Sequence, residues 1–315
     1  MIAKGSWARL PTPIEKLERL SSELGVELYL KRDDQTGFEW SGNKIRKLEY
    51  LAHDALQQGA TCLITCGGVQ SNHARVTAIT AARLGLRCIL VLSIQDGQPP
   101  VRLTGNTLLD QLAGADIRYV PSRDDRDPAM SAAAQDVRRA GGRPYVIPLG
   151  ASTPLGAAAF ISAVDELTAQ IDPPDVVIHA TSSGGTQAGL VAGCLLAGLP
   201  TQVLGISADL PSPSLDPLIR TLLAGAAPLL GLDGDRFDSA VVDVDDTFVG
   251  GGYGVPTDAS REALELSARS EGLFLDPTYT AKAMAGLIAR VRSGAFTDDQ
   301  TVLFWHTGGQ VGLFA

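Results

Sequence analysis

The sequence is short of positive charge: 26 lysines and arginines face 35 aspartates and glutamates, a net charge of −9 with a pI near 4.9. That balance does not suit phosphate backbones or anionic lipid, which need a basic patch to release counterions, so the reading excludes nucleic acid and membrane surfaces as partners. Any anionic ligand then needs a local site. Long apolar runs are missing too. No stretch reaches the roughly 20 residues of a membrane span, and the opening Met1-Ile2-Ala3-Lys4-Gly5-Ser6-Trp7 has no apolar core of signal-peptide length. A cytoplasmic location is the expectation. Cysteine is scarce: Cys62, Cys66, Cys88 and Cys194 are dispersed through segments that read as buried strands and one apolar helix. Without a second pair or imidazoles at ligand spacing, they predict neither a metal site nor a disulfide. Walker and G-x-G-x-x-G patterns are absent, as is a G-x-S-x-G elbow, which argues against nucleotide-dependent chemistry and a serine hydrolase built on Ser71 and His73.

What is present is a regular alternation. Strand-like apolar runs at 62–66, 88–92, 117–120, 145–149, 176–180, 203–207 and 302–305 are separated by helical patterns. The helix candidates are 44–58, 72–84, 104–113, 131–140, 155–170, 186–198, 258–271 and 277–292. Strand, helix and strand repeated in this way predict an α/β protein with parallel-rich sheets covered by helices. The 315 residues suffice for two domains or one large α/β unit. A seam is expected near Pro148 to Pro154, and Arg123-Asp124-Asp125-Arg126-Asp127 reads as a solvated loop.

Ligands of open parallel sheets bind at the carboxyl ends of strands, where helix N-termini converge. Three glycine-bearing segments fall there: 66–73, 181–186 and 306–309. Thr181-Ser182-Ser183-Gly184-Gly185-Thr186 has the backbone freedom and hydroxyls of a phosphate-binding turn, although such a turn is also an ordinary structural device. Gln70-Ser71-Asn72-His73 offers amides and a hydroxyl to a carboxylate, or simply an N-cap. The most informative stretch is Ser41-Gly42-Asn43-Lys44-Ile45-Arg46-Lys47, where Asn43 reads as the N-cap and Lys44, Arg46 and Lys47 crowd the first helical turn. Cations there oppose the helix dipole. Three of them make sense if an anion docks nearby, and their mutual field would depress a lysine pKa toward nucleophilic reactivity. On charge pattern alone the same turn also reads as a solvated basic patch.

Several motifs occur in order along the chain. They are Lys31-Arg32-Asp33-Asp34, the segment 41–50, Gly68-Val69-Gln70-Ser71-Asn72-His73-Ala74-Arg75, Ser183-Gly184-Gly185-Thr186-Gln187-Ala188-Gly189, Gly252-Tyr253-Gly254-Val255-Pro256, Asp276-Pro277-Thr278-Tyr279 and His306-Thr307-Gly308-Gly309. Together they resemble the D-cysteine desulfhydrase and 1-aminocyclopropane-1-carboxylate (ACC) deaminase family, within the fold-type II pyridoxal-phosphate (PLP) enzymes typified by the tryptophan synthase β chain. The resemblance implies that Lys44 carries PLP as a Schiff base and that Lys47 with Ser182, Ser183, Gly184, Gly185 and Thr186 holds its phosphate. It places Asn72 on the ring's phenolic oxygen, and Thr280 and Thr307 toward the pyridine nitrogen. The substrate carboxylate falls to Ser71, which is also expected to assist proton transfer, and to its loop, with Gln70, Asn72 and His73 around the substrate and Tyr253 and Tyr279 flanking it; Trp40, beside the lysine and outside the family's pattern, is expected to reshape that pocket.

The same likeness implies a large PLP domain from 1–46 and 157–315, with a small α/β domain, 47–156, inserted after the lysine, and a homodimer. Thr280 and Thr307 resemble the desulfhydrase branch more than ACC deaminases, which carry Glu and Leu there. The implied reaction is β-elimination on a small amino acid, giving pyruvate, ammonia and, from D-cysteine, sulfide. ACC, L-cysteate and biosynthetic β- or γ-substituted amino acids stay open as substrates. So does a non-catalytic PLP or amino-acid binding role. Phe38-Glu39-Trp40-Ser41 and Ala151-Ser152-Thr153 depart from the family's usual residues.

Overall fold

The computed structural model describes residues 2–94, 98–297 and 299–315. Two sheets organise it. The larger has six strands in the order β1 (Ile14–Lys16), β2 (Glu27–Lys31), β10 (Thr301–Trp305), β7 (Val176–Thr181), β8 (Gln202–Ser207) and β9 (Asp243–Asp245). Only β1 runs antiparallel to its neighbour. The smaller sheet is wholly parallel, in the order β5 (Asp116–Val120), β4 (Arg87–Ser93), β3 (Cys62–Gly68) and β6 (Pro144–Ile147). The expected α/β class with parallel-rich sheets is what the chain forms.

Helices cover both faces of each sheet, which is why the strands read as continuous apolar runs and not as alternating ones. Alternate residues of one strand serve opposite cores. Val177, Leu303 and Trp305 pack with α6 (Pro154–Thr168), α7 (Gly185–Leu196) and α8 (Ser212–Leu229), while Val176, Ile178, Val302 and Phe304 face α1 (Glu18–Leu24), α9 (Asp258–Glu271) and α10 (Thr280–Arg292). In the smaller sheet Leu63, Leu90 and Leu92 meet α2 (Asn43–Gln57) and α3 (Asn72–Leu84), and α4 (Gly105–Leu112) packs beside α3. Cys62, Ile64, Ile89 and Val91 meet α5 (Arg126–Arg139) on the opposite face. Each fully buried aliphatic side chain of these layers contributes about 1.5–3 kcal/mol of burial free energy.

The elements unforeseen from sequence have local causes. Helix α8 holds Pro217 and Pro228, residues that break a helical reading. Strand β2 ends on Lys31, a charge that turns inward because Glu166 receives it at 2.6 Å. Leu149, read as strand, lies in a 3₁₀ turn.

The domain boundaries expected at 46/47 and 156/157 fall inside α2 and α6, which pack on each other. Helix α2 serves both units: Ile45, Leu48 and Leu51 join the small-sheet core and Tyr50 the large one. We propose the division at those helices, which would then form the floor of the cleft between the sheets.

Candidate active site

Helix α2 begins one residue earlier than the capping pattern suggests. Gly42, not Asn43, occupies the N-cap position with φ 59°, and a Cβ there would collide with the Thr307 carbonyl oxygen. Asn43 instead donates its backbone N–H to Thr307 O at 3.0 Å and its amide to Thr186 Oγ1 at 3.1 Å. The first helical turn is thereby tied to the turns after β10 and β7.

The three cations of that turn separate. Arg46 is fully engaged by Asp33 at 2.8 and 2.9 Å and by Glu166 at 2.9 Å through each of two nitrogens. Burial works to raise the Glu166 carboxyl, but Arg46 and Lys31 hold it down at about 2. The expectation that all three charges face one anion is therefore corrected: Arg46 is a structural anchor. Lys44 and Lys47 differ, because among the described residues neither has a carboxylate within ion-pairing distance. Lys47, 1% exposed, donates to Gly150 O at 3.3 Å and lies over the Phe160 ring. Burial and the nearby Lys44 charge press its pKa well below 10.5. Burial lowers Lys44 to about 8 against an opposing pull from Asp276.

Opposite the lysines is the turn from β7 into α7. Gly184 holds φ 77° at the N-cap of α7, and a Cβ on Gly185 would lie 2.9 Å from Lys47 Nζ and 2.6 Å from Ser152 Oγ. Ser152 also binds Ser183 Oγ at 2.7 Å and receives the Gly185 N–H at 3.2 Å. Asn43, Lys44, Lys47, Asn72, Ser182, Ser183, Gly184, Gly185, Thr186, Tyr279 and Thr307 all border one cavity here. The first-turn amides of a helix, hydroxyls and two lysines without a carboxylate partner among the described residues make an anion cradle with an amine beside it. PLP, with its phosphate and its aldehyde, fits that donor set.

The second wall comes from β3 and α3. Ser71 caps α3 by accepting the Ala74 N–H at 3.2 Å, and with Lys44, His73, Tyr253 and Tyr279 it lines an adjoining cavity. His73 shares a 2.7 Å hydrogen bond with Thr65 Oγ1, and burial with the two lysine charges keeps it well below the usual imidazole range, hence neutral. Asn72 Oδ1 accepts from Asn106 Nδ2 at 3.0 Å, while Gln70 spends its side chain on Thr104 and Asn106. The hydroxyls of Tyr253 and Tyr279 meet at 2.5 Å across the mouth.

Three expected residues sit differently. Trp40 is 57% exposed and is not among the residues lining these cavities. Phe38, Glu39 and Trp40 all hold left-handed backbone, φ 50°, 57° and 56°, which leaves Trp40 outside while Phe38 packs against the small-sheet core. Thr280 is fully buried, and its hydroxyl is committed to Asp276: it donates to Oδ1 at 2.7 Å and accepts the Asp276 N–H at 2.7 Å. Tyr279 is the residue before α10, not inside it, since Asp276 draws the N–H groups of Thr278, Tyr279 and Thr280 into a cap of its own.

Sequence reasoning gave no site role to Arg75, Asn106 and Ser152. Arg75, fully buried, donates to Asn106 Oδ1 and to the carbonyls of Glu39 and Trp40 at 2.6, 2.6 and 2.8 Å. It thus fastens the left-handed turn ahead of Lys44 to the residue that holds Asn72. The only sequence signal was the place of Arg75 one turn beyond Ser71 on the same helix.

Fold and site together define an α/β enzyme class with an anion cradle beside paired buried lysines. The chain belongs to the pyridoxal-phosphate dependent enzyme family, whose model matches residues 7–308. It is 41% identical over 310 residues to a D-cysteine desulfhydrase of Salmonella typhi, covering 97% of this chain and 93% of that protein. A solved structure described as an ACC deaminase homologue superposes with a TM-score of 0.91 at 36% identity, covering 99% of this chain and 94% of that one. An L-serine ammonia-lyase from Rhizomucor miehei shares the fold, with a TM-score of 0.69 at 17% identity over 98% and 96% of the two chains. The cofactor is PLP, and the chain is a PLP-dependent lyase of the fold-type II architecture. No helix of the described residues is long and apolar enough to cross a membrane.

Proposed function

We propose that the chain catalyses β-elimination on a small β-substituted amino acid, with D-cysteine as substrate and pyruvate, ammonia and sulfide as products. The observation that carries this reading is Lys44, an amine without a carboxylate partner among the described residues, held at about 8 by burial and placed between the anion cradle and the tyrosine pair. Similarity to the desulfhydrase named above supports the choice of substrate.

Bound PLP supplies an electron-withdrawing ring that makes the Cα proton of an attached amino acid acidic. The remaining work belongs to the chain. Lys44 Nζ holds the cofactor covalently at rest and, once released, takes the Cα proton as general base. Lys47 and the turn 182–186 would hold the phosphate, and Asn72, steadied by Asn106, would donate to the phenolic oxygen. Ser71 and the amides of its loop receive the substrate carboxylate, with Gln70 and the neutral His73 shaping that wall. Tyr253 and Tyr279 orient the substrate and shield the reacting carbon from water. Thr307 would lie toward the pyridine nitrogen, whereas the Thr280 hydroxyl is spent on Asp276. A hydroxyl donates no full negative charge to that nitrogen, which favours a reaction that discharges its carbanion at once by expelling a β-substituent.

We also assign the chain to the cytoplasm and to a homodimer. Exposed Leu112 on α4 and Phe314 on the packed C-terminal turn Gln310–Phe314 support a second copy.

Sulfide and pyruvate should appear in equal amounts when the holoenzyme is given D-cysteine. 2-Oxobutyrate from ACC, with no sulfide from D-cysteine, would overturn the assignment. Lys44 must be neutral to attack the cofactor aldehyde, and its protonated fraction falls as pH rises through about 8. The rate of PLP uptake by the apoprotein should therefore climb between roughly pH 6 and 8 and level off above about 9, as stopped-flow absorbance would show. A rate still climbing tenfold per unit up to pH 10 would mark an ordinary lysine.

A further inference from the structure

The charged run 123–127, read from sequence as a solvated loop, does other work. Arg126 opens α5 with only 8% of its surface exposed, and its Nε and Nη2 donate to Ser93 Oγ at 3.1 and 2.5 Å. Among the described residues no carboxylate lies within ion-pairing distance of it. The two other buried arginines are matched: Arg46 by two carboxylates and Arg75 by three carbonyl oxygens. Asp209 borders the same space, but Arg123 already holds it at 2.8 and 2.9 Å.

Arg126 faces the cleft. It lines the cavity that also contains Lys44, Ser71, Tyr253 and Tyr279, and it lines a second one of about 510 Å³ that continues past Tyr253. Gly68 stands between, where a Cβ would sit 3.3 Å from the Tyr253 ring and 3.9 Å from Arg126 Nη2. A bare glycine keeps that passage open. A thiol would fill little of the space, and a desolvated guanidinium without a counter-charge is costly unless a ligand anion supplies one.

We propose that Arg126 forms the subsite for the β-substituent and selects amino acids whose leaving group ends in a tetrahedral oxyanion, such as a sulfonate, sulfate or phosphate. This rests on the β-elimination reading above. In that reaction the Cβ–X bond breaks with both electrons departing on X, the Cα proton goes to Lys44, and water completes the products pyruvate and ammonia. Negative charge thus grows on X, beside the guanidinium. Donors aimed at developing charge in a site closed to water act more strongly than in solution. D-Cysteine remains a substrate, because hydrosulfide is too small to need the subsite.

The test compares the holoenzyme with Arg126→Gln and Arg126→Lys on cysteate, O-sulfoserine and O-phosphoserine, with β-chloroalanine as the uncharged control, each as both enantiomers. Pyruvate formation gives kcat/KM, and titration of the visible spectrum gives binding without turnover. Wild type should favour at least one oxyanion compound over β-chloroalanine. Arg126→Gln should cut kcat/KM on it by roughly 30-fold or more, through both KM and kcat, with partial recovery in Arg126→Lys and a change under about threefold on β-chloroalanine. Pyruvate formed from all compounds with no dependence on residue 126, or with equal loss on all, would overturn the subsite and leave β-elimination standing. Arg126-dependent binding of the oxyanions with no pyruvate from any compound would overturn β-elimination and leave the subsite. The wild-type preference needs no variant to fold, so neither side of the comparison hangs on one protein.

Discussion

Lys44→Ala is expected to leave a folded protein that binds PLP without a covalent bond and forms pyruvate at least about 10³–10⁴-fold more slowly than wild type. Two roles fall together. The amine proposed to fix the cofactor is lost, and so is the proposed base for the Cα proton, while Lys47 and the 182–186 turn remain to hold the phosphate. Folding should not suffer, because Lys44 Nζ has no carboxylate partner among the described residues and burial already opposes its charge. Circular dichroism with a thermal melt checks the fold, and a discontinuous pyruvate assay checks the rate. Activity within tenfold of wild type would show that the base lies elsewhere.

Lys47→Met should change two quantities in opposite directions. In the apoprotein Lys47 is buried with a 3.3 Å contact to Gly150 O and the Phe160 ring but no carboxylate partner among the described residues, so an isosteric apolar side chain removes an amine without a counter-charge from the interior. The apo form should gain about 1–3 kcal/mol. The pH dependence has a definite sign. Burial places the folded pKa below the ordinary 10.5, so between the two values the unfolded chain binds the extra proton and wild-type stability rises with pH. The advantage of methionine should accordingly shrink as pH approaches 10. PLP affinity should move the other way, falling roughly 30-fold or more because the phosphate loses a desolvated cation. Chemical denaturation of the apoprotein at two pH values and equilibrium dialysis of PLP measure the pair. A variant that binds PLP as wild type does would remove Lys47 from the phosphate site.

The strands and helices of the parallel sheets were legible because burial on both faces writes long apolar runs, as in Val176-Val177-Ile178 and Cys62-Leu63-Ile64. Strands β1, β2 and β9 were not, since each carries charged residues whose partners lie far along the chain, as Lys31 finds Glu166. The same distance rule governs the site. Lys44, Lys47, Asn72 and the turn 182–186 stood out because glycines and hydroxyls at strand ends are local signals. Arg46 looked like a third member of the anion site because its true partners, Asp33 and Glu166, are 13 and 120 residues away. Arg75 offered only its place one turn beyond Ser71, and Asn106 gave no local signal. Trp40 drew notice by its neighbour, yet the left-handed turn that carries it outward is a backbone property no side-chain pattern announced. Arg126 was hidden by its setting, one of two arginines in a charged run, and only the fold turns it inward.

The central claim is that Lys44 and no other lysine carries the cofactor. Purified protein given PLP should absorb in the visible, lose that absorbance on borohydride reduction, and release after proteolysis a single pyridoxyl-labelled peptide containing Lys44. A label on Lys47 or any other lysine, or a protein that stays colourless with excess PLP, would contradict it.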